Sequence, residues 1–269
     1  MKTTILGLLA ETSLHTGAGR SSGIVDLPIA REAATDYPYI PGSSLKGALR
    51  DRARERGKLD VTTTFGSQNQ AGKLLVSDAR ILLLPVRSLE GAYRWVTSPL
   101  ALERYQRDLK RSGSSRQILL PSPPADGQVL GHGDGVLHLE EREFAVSGPV
   151  PQDIHEAMCT LVLHEETKKR LAEQIAIVSD HAFAWFCRYA IPVQTRNQLA
   201  ESTKTSENLW YEESLPPDTL LYALAVERDE TTPERLHELF DEQPYLQVGG
   251  NETVGHGWTA VSRVDGGAP

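Results

Sequence analysis

Segments with the composition of β-strands occur at both ends and in the middle of this 269-residue chain, and helical segments separate them. Thr, Val, Ile and Leu dominate the strand-like segments, and such residues favour a pleated, half-buried surface. This order predicts a mixed α+β fold with several long insertions, in a chain long enough to bury a large core. Strands are expected over residues 2–14, 73–86 (as two short strands), 220–227 and 258–264.

Four segments are expected to be helical, at residues 45–56, 99–112, 165–189 (mostly) and 233–240. Ser43 or Ser44 offers an N-cap for the first helix, and Gly57 ends it. Residues 113–150 are rich in Gly, Ser and Pro, so a loop or a small inserted subdomain is expected there. Residues 192–217 combine β-type and polar residues and end in two prolines, which suggests an extended hairpin.

Composition narrows the class of protein. No apolar run approaches the ~18–20 residues of a membrane span, and the two cysteines form no CxxC pair. A cytoplasmic protein that does not act at a membrane is expected. The formal net charge of −8 argues against nucleic acid, yet residues 1–120 carry 18 Lys/Arg against 11 Asp/Glu, and the remainder is acidic. This asymmetry indicates either an ordinary mixed surface or a subunit that binds a polyanion on one face.

The segment PGSSLKGALRDRARERG carries the strongest local signal. A Gly-Ser-Ser turn that opens a helix leaves backbone N–H groups free at the positive end of the helix, which suits a phosphate. Lys46, Arg50 and Arg54 lie four residues apart and form one cationic stripe. The order of residues excludes a Walker A loop. The alternatives are a nucleic-acid backbone site and a solvated basic helix.

A first glycine-rich loop spans residues 16–23. A dinucleotide-binding fingerprint is disfavoured, because an extended segment with Pro28 follows the glycines where that motif needs a helix. The loop is either a flexible turn or an anion site formed by Gly17, Gly19 and Arg20.

Asp26 and His15 flank this loop and are candidate chemical groups. Asp26 lies in the apolar run Ile24–Pro28, where a carboxylate either forms a turn or is poised to hold a divalent metal or orient a nucleophile. His15 is either a proton-transfer group or a partly buried histidine at a strand end. Other potential ligands show no recognised zinc spacing. They are His132, Asp134, His138, His155, Cys159 and His164.

A second glycine-rich loop, Gly249 to Gly257, precedes the last expected strand. Its four glycines allow close approach to another chain or a ligand, and Trp258 adds a stacking aromatic. A plain tight turn would not need nine residues.

Three segments together resemble the RAMP superfamily of CRISPR proteins: SLHTGAGRSSGIVDLPIARE, PYIPGSSLKGALRD and LQVGGNETVGHGWTAV. The first is similar to the N-terminal region of the backbone subunit of the type III-B (Cmr) effector complex. The resemblance spans most of the chain. It implies a single domain over residues 1–269, with a ferredoxin-like, RRM-related palm, the insertion at 113–150 and a projecting thumb hairpin at about 192–216.

The resemblance also implies a function. Several copies would line up in a helical filament along a guide RNA, together with other subunits of the complex. Each thumb would interrupt the guide–target duplex, and each copy would cut the single-stranded target RNA with a divalent metal, Mg²⁺ or Mn²⁺. Asp26 corresponds to the catalytic aspartate and is the expected metal ligand. Guide-phosphate contacts correspond to Gly42, Ser43, Ser44 and Lys46.

Further RNA contacts are expected in the thumb, at Arg196 and Lys204 beside Trp210, and in the second glycine-rich loop, at Gly249, Gly250, Asn251, Gly255 and His256. Two other functions stay open at this point. One is a guide-binding scaffold of the same architecture without nuclease activity. The other is a guide-processing endoribonuclease that acts on precursor RNA as a free monomer without metal.

Overall fold

The computed structural model describes residues 2–21, 23–57, 59–228, 236 and 238–265. It contains groups of strands with helices between them, as the sequence predicts. The strands are β1 (Lys2–Ala10), β2 (Tyr39–Ile40), β3 (Gly66–Ser67), β4 (Gln70–Ala71), β5 (Leu74–Val76), β6 (Ala79–Arg87), β7 (Tyr93–Thr97), β8 (Gln128–Gly131), β9 (Val136–Leu139), β10 (Arg142–Gly148), β11 (Ile175–Ile177), β12 (Val193–Leu199), β13 (Ser206–Glu213), β14 (Leu220–Glu227), β15 (Tyr245–Gln247) and β16 (Trp258–Asp265). The helices are α1 (Gly42–Arg56), α2 (Val61–Phe65), α3 (Pro99–Arg111), α4 (Gln152–Thr160), α5 (Glu165–Gln174) and α6 (Asp180–Tyr189).

One large mixed sheet carries the fold. Within the described residues its main path is β15-β16-β1-β14-β6-β7-β11-β8-β10-β9, with β2 on β6 and β5 on β14. β1 runs antiparallel between β14 and β16, so that Leu8 lies opposite both Leu221 and Val261. The side chains of residues 3–10 in β1 and of β14 are almost all buried, on both faces of the sheet, which makes this pair of strands the centre of the core.

Helix α1 begins at Gly42, three residues before the expected start, and Pro41 is its N-cap. Ser43 and Ser44 therefore lie in the first turn of the helix instead of capping it. Gly57 adopts a left-handed conformation (φ +62°) and ends the helix as predicted. Leu45, Leu49 and Ala53 form the buried face.

The segment 165–189 is interrupted by a strand that the sequence did not predict. Ile175–Ile177 forms β11, which pairs in parallel with β7 and antiparallel with β8. All three of its residues are buried. A run of three apolar residues has no periodicity of its own, and the neighbouring strands decide its conformation.

Residues 113–150 do not form a separate unit. The part from 113 to 127 contains no helix or strand, whereas β8, β9 and β10 extend the main sheet. Residues 192–217 contain an antiparallel hairpin of β12 and β13, a two-stranded sheet of its own in which Arg196 lies opposite Trp210. The helix predicted at 233–240 lies largely outside the described residues. In the described part, no helix is both long and apolar enough to span a membrane.

Candidate nucleic-acid interface

Asp26 lies at the base of the β12–β13 hairpin. The segment around it runs alongside β13: the N–H of Leu27 donates to the carbonyl of Tyr211 at 3.0 Å, and the N–H of Glu213 donates to the carbonyl of Leu27 at 3.0 Å. The carboxylate oxygen Oδ2 of Asp26 accepts a hydrogen bond from the N–H of Tyr211 at 2.8 Å. The half-buried Asp26 side chain is therefore anchored to the hairpin through one oxygen.

A groove of about 440 Å³ opens beside Asp26. It brings together parts of both glycine-rich loops and the hairpin. Its lining consists of Arg20, Ser21, Asp26, Leu27, Asn208, Leu209, Trp210, Glu212 and Asn251. Of the residues predicted from sequence, the groove thus unites Asp26, Arg20 and Asn251 at the foot of the predicted thumb.

Glu212 is a second carboxylate in the groove, but it is occupied by protein partners. Its side chain is only 3% exposed; it accepts a hydrogen bond from the side-chain amide of Asn251, and Nε of Arg196 lies 3.6 Å from it. Arg196, expected to contact RNA, therefore faces this carboxylate. Asp26 is consequently the carboxylate of this groove that has an oxygen without a partner among the described residues.

A divalent metal would find a sparse set of protein ligands here. No group of three His, Cys, Asp or Glu side chains suitable for a metal exists within the described residues. Mg²⁺ in phosphoryl-transfer sites is commonly held by one or two carboxylates plus substrate phosphates and water. Asp26 fits that role as a single carboxylate beside a groove that could hold the substrate.

His15 is buried between the two glycine-rich loops. Its Nδ1 donates to the carbonyl of Glu213 at 2.7 Å, and its own carbonyl accepts the N–H of Gly250 at 2.9 Å. A Cβ on Gly249 would come within 2.3 Å of the His15 carbonyl, and one on Gly17 within 2.8 Å of the His15 ring. Gly17 and Gly249 thus allow the loops to pack against His15, which gives these two glycines a structural reason independent of RNA.

His256, on the second glycine-rich loop, lies near Arg196 of the hairpin. Burial lowers the pKa of His256, and the positive charge of Arg196 lowers it further. The lowered pKa favours the neutral imidazole, which meets a phosphate through a hydrogen bond and not through charge. The RNA contact predicted at His256 stays a prediction. Gly255 is exposed on the same loop, with a positive φ of +82°.

The N-terminus of α1 is already partly occupied. The N–H of Gly42 donates to Oδ1 of Asp78 at 2.7 Å, and a Cβ on Gly42 would come within 2.9 Å of the backbone at Val76 and Ser77. Gly42 therefore permits close packing, and its N–H is bound to a protein carboxylate. Ser43 and Ser44 are exposed in the same turn.

A second groove lies along α1 and is basic. Lys46, Arg50 and Arg228 line it together with the β3–β4 hairpin. Arg50 also donates to the carbonyl of Gly66 at 3.0 Å, whereas Arg54 pairs with Asp51 at 2.8 Å on the exposed side of the helix. The predicted stripe is thus divided, with Lys46 and Arg50 in the groove. We refer to the groove lined by Lys46, Arg50 and Arg228 as the α1 basic groove.

The hairpin carries Lys204 at its turn, with a positive φ of +56° and an exposed side chain. Lys204 is accessible to a ligand. Trp210, in contrast, contributes to the wall of the Asp26 groove, and its indole Nε1 is buried without a partner among the described residues.

Sequence reasoning did not single out Glu212, Glu213 or Arg228. Their roles depend on contacts with distant segments: Glu213 binds the N–H of Ile29, 184 residues away, Glu212 binds Asn251, 39 residues away, and Arg228 shares a groove with α1. The one local signal for the first two was a pair of adjacent carboxylates after two aromatic residues, Trp210-Tyr211-Glu212-Glu213.

The chain has relatives that match it over almost its whole length. The sequence matches the RAMP superfamily over residues 8–260. It is 34% identical over 292 aligned residues to the CRISPR system Cmr endoribonuclease Cmr4 of Pyrococcus furiosus, covering 97% of this chain and 96% of that protein. A shorter stretch of 75 residues, 22% of the chain, is 39% identical to the CRISPR system Cms endoribonuclease Csm3 of Methanothermobacter thermautotrophicus.

Solved structures agree with these matches. The crystal structure of oligomeric Cmr4 from Pyrococcus furiosus superposes with a TM-score of 0.78 at 31% identity and covers 98% of both chains. A chain of the type III-B Cmr-beta complex bound to cognate target RNA gives a TM-score of 0.79 at 19% identity, over 98% of this chain and 97% of that one, and so shows a shared fold. These likenesses confirm the predicted α+β class and are consistent with a ferredoxin-like palm.

Proposed function

Because the chain belongs to the RAMP superfamily, we propose that it is a repeated backbone subunit of a type III-B CRISPR ribonucleoprotein. In this function it binds guide RNA and cleaves complementary single-stranded target RNA at regular intervals. The near full-length similarity to a protein named as a Cmr endoribonuclease supports this proposal. The likeness to an oligomeric Cmr4 crystal structure supports assembly with further copies of the chain in a filament, beside other Cmr subunits.

The observation that carries the nuclease activity is the position of Asp26 in an open groove at the foot of the hairpin. RNA brings its own nucleophile, the 2′-hydroxyl, so the protein mainly has to position the reacting groups. Oδ2 of Asp26 is held by the N–H of Tyr211. Its other oxygen is then free to orient the 2′-hydroxyl or to bind a metal.

We further propose that cleavage uses Mg²⁺ or Mn²⁺, with Asp26 as the protein carboxylate that holds the ion and RNA oxygens as the remaining ligands. When bound, such an ion would stabilise negative charge that develops on the phosphate. The chain itself would contribute a fixed carboxylate, and the exposed Arg20 would contribute a positive charge in the same groove.

Sequence selectivity needs no base-reading residues in this function. Pairing between guide and target reads the sequence, while the protein binds backbone and shape, as in other RNA-guided effectors. The α1 basic groove suits the guide backbone, because Lys46, Arg50 and Arg228 present positive charge along one surface of an otherwise acidic chain. The hairpin beside Asp26 would define where along the target the cut is made.

The test is target cleavage by the assembled complex with Mg²⁺ or Mn²⁺ and end-labelled target RNA. Wild-type complex should give a ladder of regularly spaced products. Asp26→Asn should lower the rate by at least about 100-fold, the scale expected when a positioned catalytic group is removed, and leave assembly and guide binding unchanged.

Four outcomes would contradict the proposal or one of its parts. Wild-type complex that binds target without cutting it would indicate a scaffold. Cleavage of precursor guide RNA by the free chain without metal would indicate a processing enzyme. Cleavage by the Asp26→Asn complex at the wild-type rate would remove Asp26 from the mechanism, and equal rates in chelator and in Mg²⁺ would remove the metal.

A further inference from the structure

The segment that carries Asp26 is attached to the hairpin by a buried carboxylate. The side chain of Glu213, at the end of β13, is 9% exposed. Its Oε2 accepts the N–H of Ile29 at 3.1 Å, and its Oε1 accepts a hydrogen bond from Arg31 at 2.5 Å. Both bonds lead back to the strand-like segment that follows Asp26 in the sequence.

Arg31 extends this attachment to a third element. The second nitrogen of its guanidinium donates to the carbonyl of Asp36 at 3.0 Å and to the carbonyl of Cys187 near the end of α6 at 2.7 Å. A planar guanidinium offers several donors in fixed directions, which a lysine ammonium does not. Arg31 therefore ties together its own loop, α6 and the base of the hairpin.

The same glutamate also contacts the segment through its backbone. The N–H of Glu213 donates to the carbonyl of Leu27, the residue next to Asp26. Its carboxylate accepts hydrogen bonds from Ile29 and Arg31, two and four residues after Leu27. Three successive attachments thus set the distance and the angle between the Asp26 segment and β13. Neither Arg31 nor Glu213 is among the residues that line the Asp26 groove in the described structure.

We propose that Arg31 and Glu213 are positioning residues for Asp26, an inference that rests on the proposed nuclease function. They keep the carboxylate at a constant place relative to the hairpin, and so relative to the interruption that the hairpin makes in the guide–target duplex. They act through the backbone of residues 27–29 and do not touch the RNA. Errors of about 1 Å in the placement of a reacting group can cost about 100-fold in rate.

The competing explanation is that the pair only stabilises the fold, as a partly buried ion pair whose loss destabilises the chain. The two explanations differ in what they predict for a folded complex. A positioning role lowers the rate of the cleavage step in a complex that is fully folded and assembled and binds target as tightly as wild type. A merely structural role moves the melting temperature, assembly and binding together with the rate.

The experiment compares Glu213→Gln and Arg31→Lys in the assembled complex with guide RNA. Both substitutions keep the approximate size and polarity of the side chain. The matched control is Arg188→Gln, since Arg188 forms an exposed ion pair with Asp36 at 2.7 Å on the same loop. The measurements are the single-turnover cleavage rate at saturating target, the dissociation constant for target, and the melting temperature of the free chain.

We expect each of the two variants to cleave at least about tenfold more slowly, on the scale of misplaced reacting groups, with target affinity within error of wild type and a melting temperature that stays well above the assay temperature. The control should cleave like wild type. Wild-type rates in both variants would overturn the inference, and so would a rate loss matched by an equal loss of target binding or of folded protein.

Failure of the underlying function would be visible separately. Asp26→Asn is run in the same assay, and an active Asp26→Asn complex or an inactive wild-type complex would reject the nuclease proposal itself. An inactive Asp26→Asn complex together with fully active Arg31 and Glu213 variants would reject the positioning inference alone.

Discussion

The backbone N–H of Tyr211 donates to the Asp26 carboxylate at 2.8 Å, across 185 residues of sequence. The hairpin therefore provides a direct contact to the candidate catalytic group, in addition to the loop that carries it. Glu213, two residues after Tyr211 on β13, likewise donates its N–H to the carbonyl of Leu27. The backbone groups on this edge of β13 therefore bind the segment around Asp26.

The Tyr211 amide can be removed selectively. Tyr211→Pro eliminates the N–H but keeps the carbonyl that Leu27 binds, and proline is tolerated at strand edges. We expect target cleavage to fall at least about tenfold, because Asp26 loses the donor that orients it. Tyr211→Ala is the control, since it removes the exposed ring and retains the N–H. Equal single-turnover rates for the two variants would show that this hydrogen bond does not matter.

The α1 basic groove predicts a salt dependence. Lys46→Ala and Arg228→Ala should each reduce the slope of log affinity for guide RNA against log salt by about 0.7, the value for one single-strand phosphate contact. Arg54→Ala is the control, because Arg54 is already paired with Asp51 outside the groove. The slopes are measured by filter binding or anisotropy. If all three variants share the wild-type slope, the groove does not hold RNA phosphates.

A buried polar contact links α3 to the central sheet. Oδ2 of Asp108 accepts the hydroxyl of Tyr222 at 3.0 Å and a guanidinium nitrogen of Arg80 at 2.8 Å. Asp108→Ala leaves the Tyr222 hydroxyl without this acceptor, so we expect the free energy of unfolding to fall by about 1–3 kcal/mol. Asp51→Ala, at an exposed ion pair, should change it by less than about 0.5 kcal/mol. Urea unfolding of the free chain measures both, and comparable losses would contradict the assignment.

His138 and Glu90 predict a pH dependence of stability. Nδ1 of His138 lies 2.8 Å from Oε1 of Glu90. This hydrogen bond is the main cause that lowers the pKa of Glu90 from 4.5 to about 2 and raises the pKa of His138 above 6.5. The stability that His138 contributes is fully present below pH 6.5 and is lost as the pH rises through the raised pKa of this histidine. The glutamate contribution is present above pH 4.5 and lost as pH falls toward about 2.

His138→Gln should therefore lower the melting temperature more at about pH 5.5 than at about pH 9, where the imidazole is neutral in wild type as well. In a Glu90→Gln background the effect of His138→Gln should lose its pH dependence, because the charged partner is gone. Thermal melts of the four proteins at both pH values test this. A difference that is the same at both pH values would contradict the pairing.

Local patterns were sufficient for the strongly patterned elements. β14 lies at Leu220–Glu227, where the sequence predicts it, since the uninterrupted apolar run from Leu220 to Val226 is typical of a buried strand. The buried face of α1 and its glycine stop follow from spacing and chirality alone. β11 did not follow from sequence, because three residues acquire strand structure only from the partners on either side.

The candidate site was predicted in part for the same reason. Asp26, Arg20 and Asn251 stand in short glycine-rich contexts that mark them locally. The carboxylate that holds Arg31 and the amide that holds Asp26 both lie on β13, about 185 residues from their partners. No local pattern states which strand will lie beside which loop. At Gly42 the local pattern predicts a free N–H that suits a phosphate. In the structure this N–H donates to Asp78, 36 residues further along, a partner that the local pattern does not indicate.

The place of β1 in the sheet has a consequence for how the chain is made. β1 is synthesised well before both of its neighbours, β14 and β16. Until β14 has been made, a nascent chain therefore carries an apolar strand with two unpaired edges, a form prone to aggregation. Prematurely terminated chains that end before residue 211 would also lack the donor for Asp26. The proposed cleavage site at Asp26 is thus assembled only after residue 211 has been made, so that such truncated chains would carry no competent nuclease.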